Sequence, residues 1–407
     1  MQCGLLGRVL GHSYSPMIHG MLGTYRYDLF PTEPEALDAL LRGGEWDGLN
    51  VTIPYKKSVV PYCAELSETA EKLGSVNTLV RRADGTICGA NTDYDGFRYL
   101  VEQSGIPVAG RKALVLGSGG ASVTVCAVLR DLGAASVTVI SRSGPDNYEN
   151  LDRHADAQLI ANTTPLGMYP NTGAAAVNLR AFPRCEGVFD IVYNPARTAL
   201  LLQAEQLGIP CAGGLSMLVA QAKRSAELFT GTEIADGRVA AIEKAIRMRL
   251  ENVVLIGMPG CGKSSVARRL GERLGREVVE CDAYIKQQAG KTIPGIFAEG
   301  GETAFRRLET EALRELGKRS GIILSTGGGC VTRSENYPLL HQNGTIFWLL
   351  RSPWKLPSDG RPLSQAESAE AMYARREPMY RRFADVKIDN EGAIERAVEA
   401  IARRGLL

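Results

Sequence analysis

The chain reads as an α/β protein built on parallel sheets, and three features predict this. Apolar, β-branched runs of four to six residues alternate with helical patterns along all 407 residues. Two glycine-rich loops, at Gly117 and Gly257, each follow such a run and open a helical pattern. Neither low-complexity sequence nor a short repeat interrupts the alternation. A strand, a tight glycine turn and a helix place a ligand crevice at the carboxyl ends of parallel strands, so two crevices are expected.

From the amino terminus, His12-Ser13-Tyr14-Ser15-Pro16 comes first. The strand-like Asn50-Val51-Thr52-Ile53 then runs into Pro54-Tyr55-Lys56. Ser75-Val76-Asn77-Thr78 and Asn91-Thr92-Asp93 follow. Hydroxyls, amides, one lysine and one carboxylate at strand ends suit a small polyol acid. Next, Ala113–Leu116 leads into Gly117-Ser118-Gly119-Gly120-Ala121-Ser122, a dinucleotide-type turn whose third glycine is replaced by Ser122. The following strand ends Ile140-Ser141-Arg142-Ser143, with no acid to take a ribose hydroxyl. Arg142 can pair with a 2′-phosphate, which favours NADP over NAD. The runs Ala157–Pro165 and Gly187–Pro195 continue this Rossmann pattern.

The second loop is a complete G-x-x-x-x-G-K-S, Gly257 to Ser264, after the strand Val253–Ile256. Val266, Leu270 and Leu274 recur every four residues behind it, as on one helix face. In such a loop the backbone N–H groups cradle phosphates, Lys263 reaches the outer phosphates, and the Ser264 hydroxyl meets Mg²⁺. Glu280-Cys281-Asp282 closes the next strand. Arg306, Arg307 and Glu309 follow, then Gly327-Gly328-Gly329, Gly360-Arg361-Pro362 and Arg375-Arg376. Arginines around a phosphate site bind carboxylates bidentately or neutralise transferring charge.

Charged residues make up 23% of the chain and the net charge is +2, which is no signature of nucleic-acid or membrane-surface binding. Apolar stretches fall far short of the ~18 residues of a membrane span, and the start lacks the pattern of a secretory leader. Nine cysteines without a C-x-x-C pair read as reduced thiols, so a cytoplasmic location is expected. Cys261 and Cys330 are read as small residues that fit.

The ordered segments SYSP, NVTIPYK, SVNT, NTD, GSGGAS, ANTTPLGM, DIVYNPARTALL and GLSMLVAQA resemble shikimate dehydrogenase over residues 1–250. The resemblance implies a substrate lobe (1–97 with about 214–250), an NADP-binding Rossmann lobe (98–213), and reversible reduction of 3-dehydroshikimate to shikimate with NADPH. It places Ser13 and Ser15 on the carboxylate. Thr52, Asn77, Tyr193 and Gln221 fall on the ring substituents, with Lys56 and Asp93 as the catalytic pair. Gly117, Ser118, Gly119, Gly120, Ala121, Arg142, Ile191 and Gly214 would line the cofactor. Chemically, a proton must move at the carbinol oxygen as hydride moves at its carbon. Lys56 can carry that proton beside an orienting carboxylate.

Residues from about 250 to 390 resemble shikimate kinase through GMPGCGKS, ECD, FRRLE, GGG, GRPL and RREPMY, which implies a kinase domain over 251–407. This implies transfer of phosphate from MgATP to the shikimate 3-hydroxyl in a P-loop NTPase-type domain. Gly260, Cys261, Gly262, Lys263, Ser264 and Ser265 would hold ATP, with Ser264 on the metal. Asp282 would be base or positioner. Arg306, Gly328 and Arg376 would hold shikimate, and Arg361 would reach the phosphate from a lid. Glu280 departs from the usual D-x-D by one methylene. A sensor that binds without turnover is the alternative class for this half; the intact Lys263, Asp282 and Arg306 argue against it. The state is expected to be monomer or homodimer.

Overall fold

A computed structural model describes residues 1–11, 13–356 and 368–404. Arg361 lies outside the described residues. The chain separates into two compact units. The first holds 1–168, 174–193 and 200–245; the second holds 169–173, 194–199 and 246–407. Among the described residues, no helix is long and apolar enough to cross a membrane.

The first unit contains two sheets. Strands β1 (Gln2–Gly7), β2 (Arg26–Pro31), β3 (Gly48–Val51), β4 (Glu65–Leu66), β5 (Thr78–Arg81) and β6 (Ile87–Ala90) form a six-stranded sheet in the order β2-β1-β3-β5-β6-β4. It is mixed: β5 runs antiparallel to β3 and β6. Leu6, Leu49, Val51, Val76 and Leu79 bury one face. The hydroxyl-rich ends of β3 and β5 are thereby brought side by side.

Strands β7 (Lys112–Leu116), β8 (Ser136–Ile140), β9 (Leu159–Asn162), β10 (Gly187–Asp190) and β11 (Cys211–Gly213) form a wholly parallel sheet, β11-β10-β9-β7-β8. Alternate residues of β7 serve opposite cores. Ala113 and Val115 join one cluster; Leu114 and Leu116 join the other. A parallel sheet covered on both faces needs this unbroken apolar run. The strand order reverses at β7, so the crevice opens there.

Helices Asp93–Ser104 and Leu215–Thr230 cross at Gly96, where an added Cβ would lie 2.6 Å from the Met217 carbonyl oxygen. This contact fixes Asp93 relative to Gln221. The second helix is also bonded into the first sheet through the Ser225 hydroxyl, which accepts from Asn50 Nδ2 at 2.7 Å.

The second unit carries one parallel sheet. Its strands are β12 (Asn252–Ile256), β13 (Val278–Glu280), β14 (Ile323–Ser325), β15 (Gly344–Leu350) and β16 (Val386–Asp389), ordered β13-β14-β12-β15-β16. β12 is central and fully buried. Two short pieces of chain join this unit. The Ala196 N–H donates to Asn343 Oδ1 at 2.9 Å and the Arg197 N–H to the Gln342 carbonyl at 2.8 Å.

His19 sits inside the first unit at 0% exposure, stacked on Tyr27 at 3.9 Å, with Nδ1 2.7 Å from the Tyr25 hydroxyl. Burial pushes its pKa from 6.5 down to about 3, with Asn50 opposing. The unfolded chain therefore binds the proton more tightly, and folding stability is lost as pH falls from 6.5 towards 3. We expect His19→Gln to flatten the pH dependence of the denaturation midpoint over that window. An unchanged slope would remove His19 as its source.

Candidate active sites

The first site grows from the ends of β3, β5 and β6. The chain leaves β3 through a turn in which the Tyr55 N–H donates to the Thr52 carbonyl at 3.0 Å, bringing Lys56 back over the sheet. The Val76 N–H pins the Lys56 carbonyl at 2.8 Å. Asp93 opens the helix Asp93–Ser104, where a carboxylate is favoured by the aligned peptide dipoles. Lys56 Nζ and Asp93 Oδ2 meet at 2.5 Å, with the side chains 23% and 13% exposed. A close, partly buried pair of this kind fixes an ammonium in one place.

Around the pair, Asn77 Oδ1 accepts the Thr92 N–H at 2.7 Å and its Nδ2 donates to Thr92 Oγ1 at 3.1 Å. Thr92 Oγ1 also reaches Gln221 Oε1 at 3.5 Å and shares a 3.0 Å hydrogen bond with Ser225. Asn77 and Gln221 are thus joined through Thr92, the residue next to Asp93 of the Lys56–Asp93 pair. The Ser15 N–H donates to Ser13 Oγ at 3.2 Å, so the two serines share one local turn. Tyr193 stacks obliquely on Tyr14, with ring centroids 5.1 Å apart, and burial raises its phenol pKa. Thr52 is half-buried at the mouth of the β3 turn. Neither Thr92 nor Ser225 is among the residues expected from the sequence to act here. The signal was the i, i+4 spacing of Gln221 and Ser225 on one helix face.

At the carboxyl end of β7, Gly117 has φ +103°, and a Cβ there would lie 2.8 Å from Thr164. Ser118, Gly119 and Gly120 are exposed, and nothing lies within 4 Å of a Cβ built at either glycine. Ala121 is in the first turn of the helix that Gly120 opens. Open backbone N–H groups at a helix start fit a pyrophosphate. Arg142 is exposed just past β8, near enough to Tyr148 to influence its phenol. Gly214 lies flush on Ile191, whose carbonyl oxygen would be 2.1 Å from a Gly214 Cβ.

The second site lines a cavity of ≈ 490 Å³. Gly260 and Gly262 take φ of +81° and +98°, turning the loop into the helix Lys263–Leu274. Lys263 is 8% exposed and its Nζ donates to the Gly257 and Met258 carbonyls at 2.9 and 3.0 Å. Ser264 Oγ donates to Glu280 Oε2 at 2.9 Å, and Ser265 also borders the cavity. The extra methylene of Glu280 thus carries its carboxylate to Ser264. Hard oxygen donors of this kind fit Mg²⁺, which takes its other ligands from water and phosphate.

Asp282 stands opposite, at the start of the helix Cys281–Ala289. Burial raises its pKa, with Lys263 opposing, while its open side towards the cleft lets water moderate the shift.

Each glycine of the 327–329 run is walled in. A Cβ at Gly327 would lie 2.4 Å from Glu309 Oε1, at Gly328 2.6 Å from Pro259, and at Gly329 2.0 Å from Arg306 Nη2. Arg306 is ion-paired to Glu309 at 2.7 Å and Glu302 at 3.0 Å. Glu309 is fully buried, its Oε1 has no hydrogen-bond partner, and burial raises its pKa. Arg376 is 1% exposed; Nη1 donates to the Gly328 carbonyl at 3.1 Å and Nε has no partner. Two arginines and one under-satisfied carboxylate therefore face the glycine run. Cys261, Cys281 and Cys330 are all fully buried nearby. Burial pushes the Cys330 thiol up to about 12 and Cys281 well above its ordinary value, so both are packing groups.

Comparison with known proteins finds two different families along the chain. A family model for the shikimate dehydrogenase substrate-binding domain matches residues 5–79, and one for shikimate kinase matches residues 259–404. An NADP⁺ shikimate dehydrogenase of Caldanaerobacter subterraneus is 34% identical, covering 56% of this chain and 91% of that protein. Its Methanopyrus kandleri counterpart is 37% identical, covering 56% and 90%. Among solved structures, a chorismate mutase/shikimate 5-dehydrogenase fusion from Clostridium acetobutylicum superposes with a TM-score of 0.57 at 34% identity, covering 60% of this chain and 96% of that one. The Thermus thermophilus shikimate 5-dehydrogenase in complex with NADP(H) and shikimate gives 0.55 at 28% identity, covering 60% and 99%. The chain belongs to the shikimate dehydrogenase family and carries a shikimate kinase domain behind it.

Proposed function

We propose that this bifunctional enzyme makes shikimate in its first unit and phosphorylates it in its second. The observation that carries the reading is that each unit holds both a nucleotide-type glycine loop and a cluster of polar and charged side chains suited to a polyol acid. In the first unit NADPH, when bound, supplies the hydride. Lys56 Nζ delivers the proton to the carbonyl oxygen of 3-dehydroshikimate as that oxygen becomes a hydroxyl. Asp93 holds the ammonium on target and balances its charge. Ser13 and Ser15 donate to the carboxylate, while Thr52, Asn77, Tyr193 and Gln221 orient the ring. Arg142 pairs with the 2′-phosphate.

In the second unit, MgATP supplies the phosphoryl group, and the metal offsets charge on the phosphates when bound. Arg306 and Arg376 clamp the shikimate carboxylate, which the glycine run admits at close range. Asp282 accepts a hydrogen bond from the 3-hydroxyl and takes its proton. Lys263 leaves its own loop carbonyls for the phosphates, a short swing of a buried ammonium between acceptors.

Supplying 3-dehydroshikimate, NADPH and MgATP should yield shikimate 3-phosphate, and omitting either nucleotide should stop the sequence at its own step. Accumulation of shikimate with MgATP present would reduce the second unit to a binding domain. Lys56→Ala should lower dehydrogenase turnover about 10²-fold or more while NADPH affinity stays; near-normal turnover would take Lys56 out of the mechanism. Asp282→Asn should lower kinase turnover by about 10²–10⁴ without lowering the melting temperature. The sign follows from the raised pKa of Asp282. The folded form holds the proton more tightly, so the stability this group contributes falls as pH rises from the ordinary carboxylate value through the raised one. A destabilised Asp282→Asn protein would contradict that assignment.

A further inference from the structure

Arg351 is the residue immediately after β15, which flanks β12 on the side away from β14. The glycine run and the Arg306–Glu309 pair belong to the β14 side, so Arg351 stands on the opposite flank of the phosphate loop. A Cβ placed on Gly262 would lie 4.0 Å from Arg351 Nη1 and 3.0 Å from Asn390 Nδ2. Asn390 in turn donates to the Cys261 carbonyl at 2.6 Å, fixing this edge of the loop. Gly262 is the residue whose φ of +98° turns the cradle into its helix.

The surrounding charges leave this guanidinium uncompensated among the described residues. Arg351 Nε is buried without a hydrogen-bond partner. The nearest acid in sequence on the neighbouring loop, Glu391, is taken by the Ser352 N–H and hydroxyl and by Lys355 at 2.9 Å. Asp389 accepts the Glu391 N–H at 2.9 Å. Glu280 is held by Ser264. A half-buried arginine with an empty donor, beside a loop shaped to bind an anion, is a cost in the free protein that a bound anion removes. Its planar fork suits a phosphate better than an ammonium would.

We infer that Arg351 is a nucleotide-binding residue of the second unit that grips the polyphosphate of ATP and ADP across Gly262, from the side opposite the shikimate cluster. This rests on the kinase reading above, and it adds a second fixed cation to Lys263. Lys263 serves the outer phosphates, whereas Arg351 serves the inner part of the chain.

The test uses the full-length protein. ADP binding is measured by calorimetry, adenosine by its inhibition of turnover, and ATP and shikimate by their KM values, in wild type, Arg351→Ala and Arg351→Lys. The inference expects ADP affinity and the KM for ATP to worsen about tenfold in Arg351→Ala, the loss of roughly one charge-assisted hydrogen bond. Arg351→Lys should recover part of that loss. Adenosine inhibition and the KM for shikimate should not move. ADP affinity within twofold of wild type in a folded Arg351→Ala protein would overturn the assignment. Equal weakening of adenosine and ADP would also overturn it, since the contact would then be to the base. A wild-type chain that binds no ADP would sink the kinase reading itself, whereas an ADP-binding chain indifferent to Arg351 sinks this inference alone.

Discussion

Both halves depend on one constraint: at the carboxyl end of a central parallel strand the backbone must turn back on itself with no side chain in the way. Gly117 has φ +103° against Thr163 and Thr164, and Gly257 has φ +146° with the Leu349 carbonyl 2.7 Å from where its Cβ would be. A β-carbon meets the loop after β9 at Gly117 and strand β15 at Gly257, and at either place it strains its own backbone. After Gly117 a helix opens at Gly120, and after Gly257 one opens at Lys263. In the second unit Lys263, Glu280, Asp282, Arg306 and Arg376 line the cavity beside that turn.

The substrate side of each unit solves a different problem, holding polar groups inside a protein without leaving them unsatisfied. In the first unit the solution is sharing. The hydroxyls of Thr78, Thr92 and Ser225 lie within 2.9 to 3.2 Å of one another; Ser225 accepts from Asn50 Nδ2, and Thr92 accepts from Asn77 Nδ2 and donates to Gln221 Oε1. A hydroxyl both donates and accepts, so such a cluster can be satisfied in more than one orientation. In the second unit the solution is pairing, and it is incomplete. Arg306 has two carboxylates, while Glu309 Oε1 and Arg376 Nε have no partner. Unmet buried charge of opposite sign around one cavity suits a ligand carrying both a carboxylate and hydroxyls.

Much of this was legible in the sequence, for identifiable reasons. The loops at Gly117 and Gly257 are local, and a strand, a glycine turn and a helix face are read from contiguous residues. The Lys56–Asp93 pair joins residues 37 apart, and only resemblance to a family linked them beforehand. The Thr92–Ser225 bond spans 133 positions; the i, i+4 spacing puts Ser225 on the face of Gln221, but nothing local says that Thr92 meets that face. Glu280 is the instructive case. Its departure from the shorter acid is visible in the sequence, but that its carboxylate lands on Ser264 depends on the spacing of β13 and the loop helix. That Glu309 Oε1 and Arg376 Nε are buried without partners is likewise a property of the packed interior, absent from any one segment.

The buried sulfurs of the second unit carry a last implication. Cys261 lies in the phosphate loop, and Cys281 and Cys330 adjoin Asp282 and the glycine run, all at 0% exposure. With the Cys330 thiol held to about 12, an alkylating reagent finds neither access nor a thiolate in the closed fold. Covalent modification there would proceed at the rate at which the domain breathes, so loss of phosphotransfer in the presence of such a reagent would act as a clock for opening events rather than a gauge of cysteine reactivity.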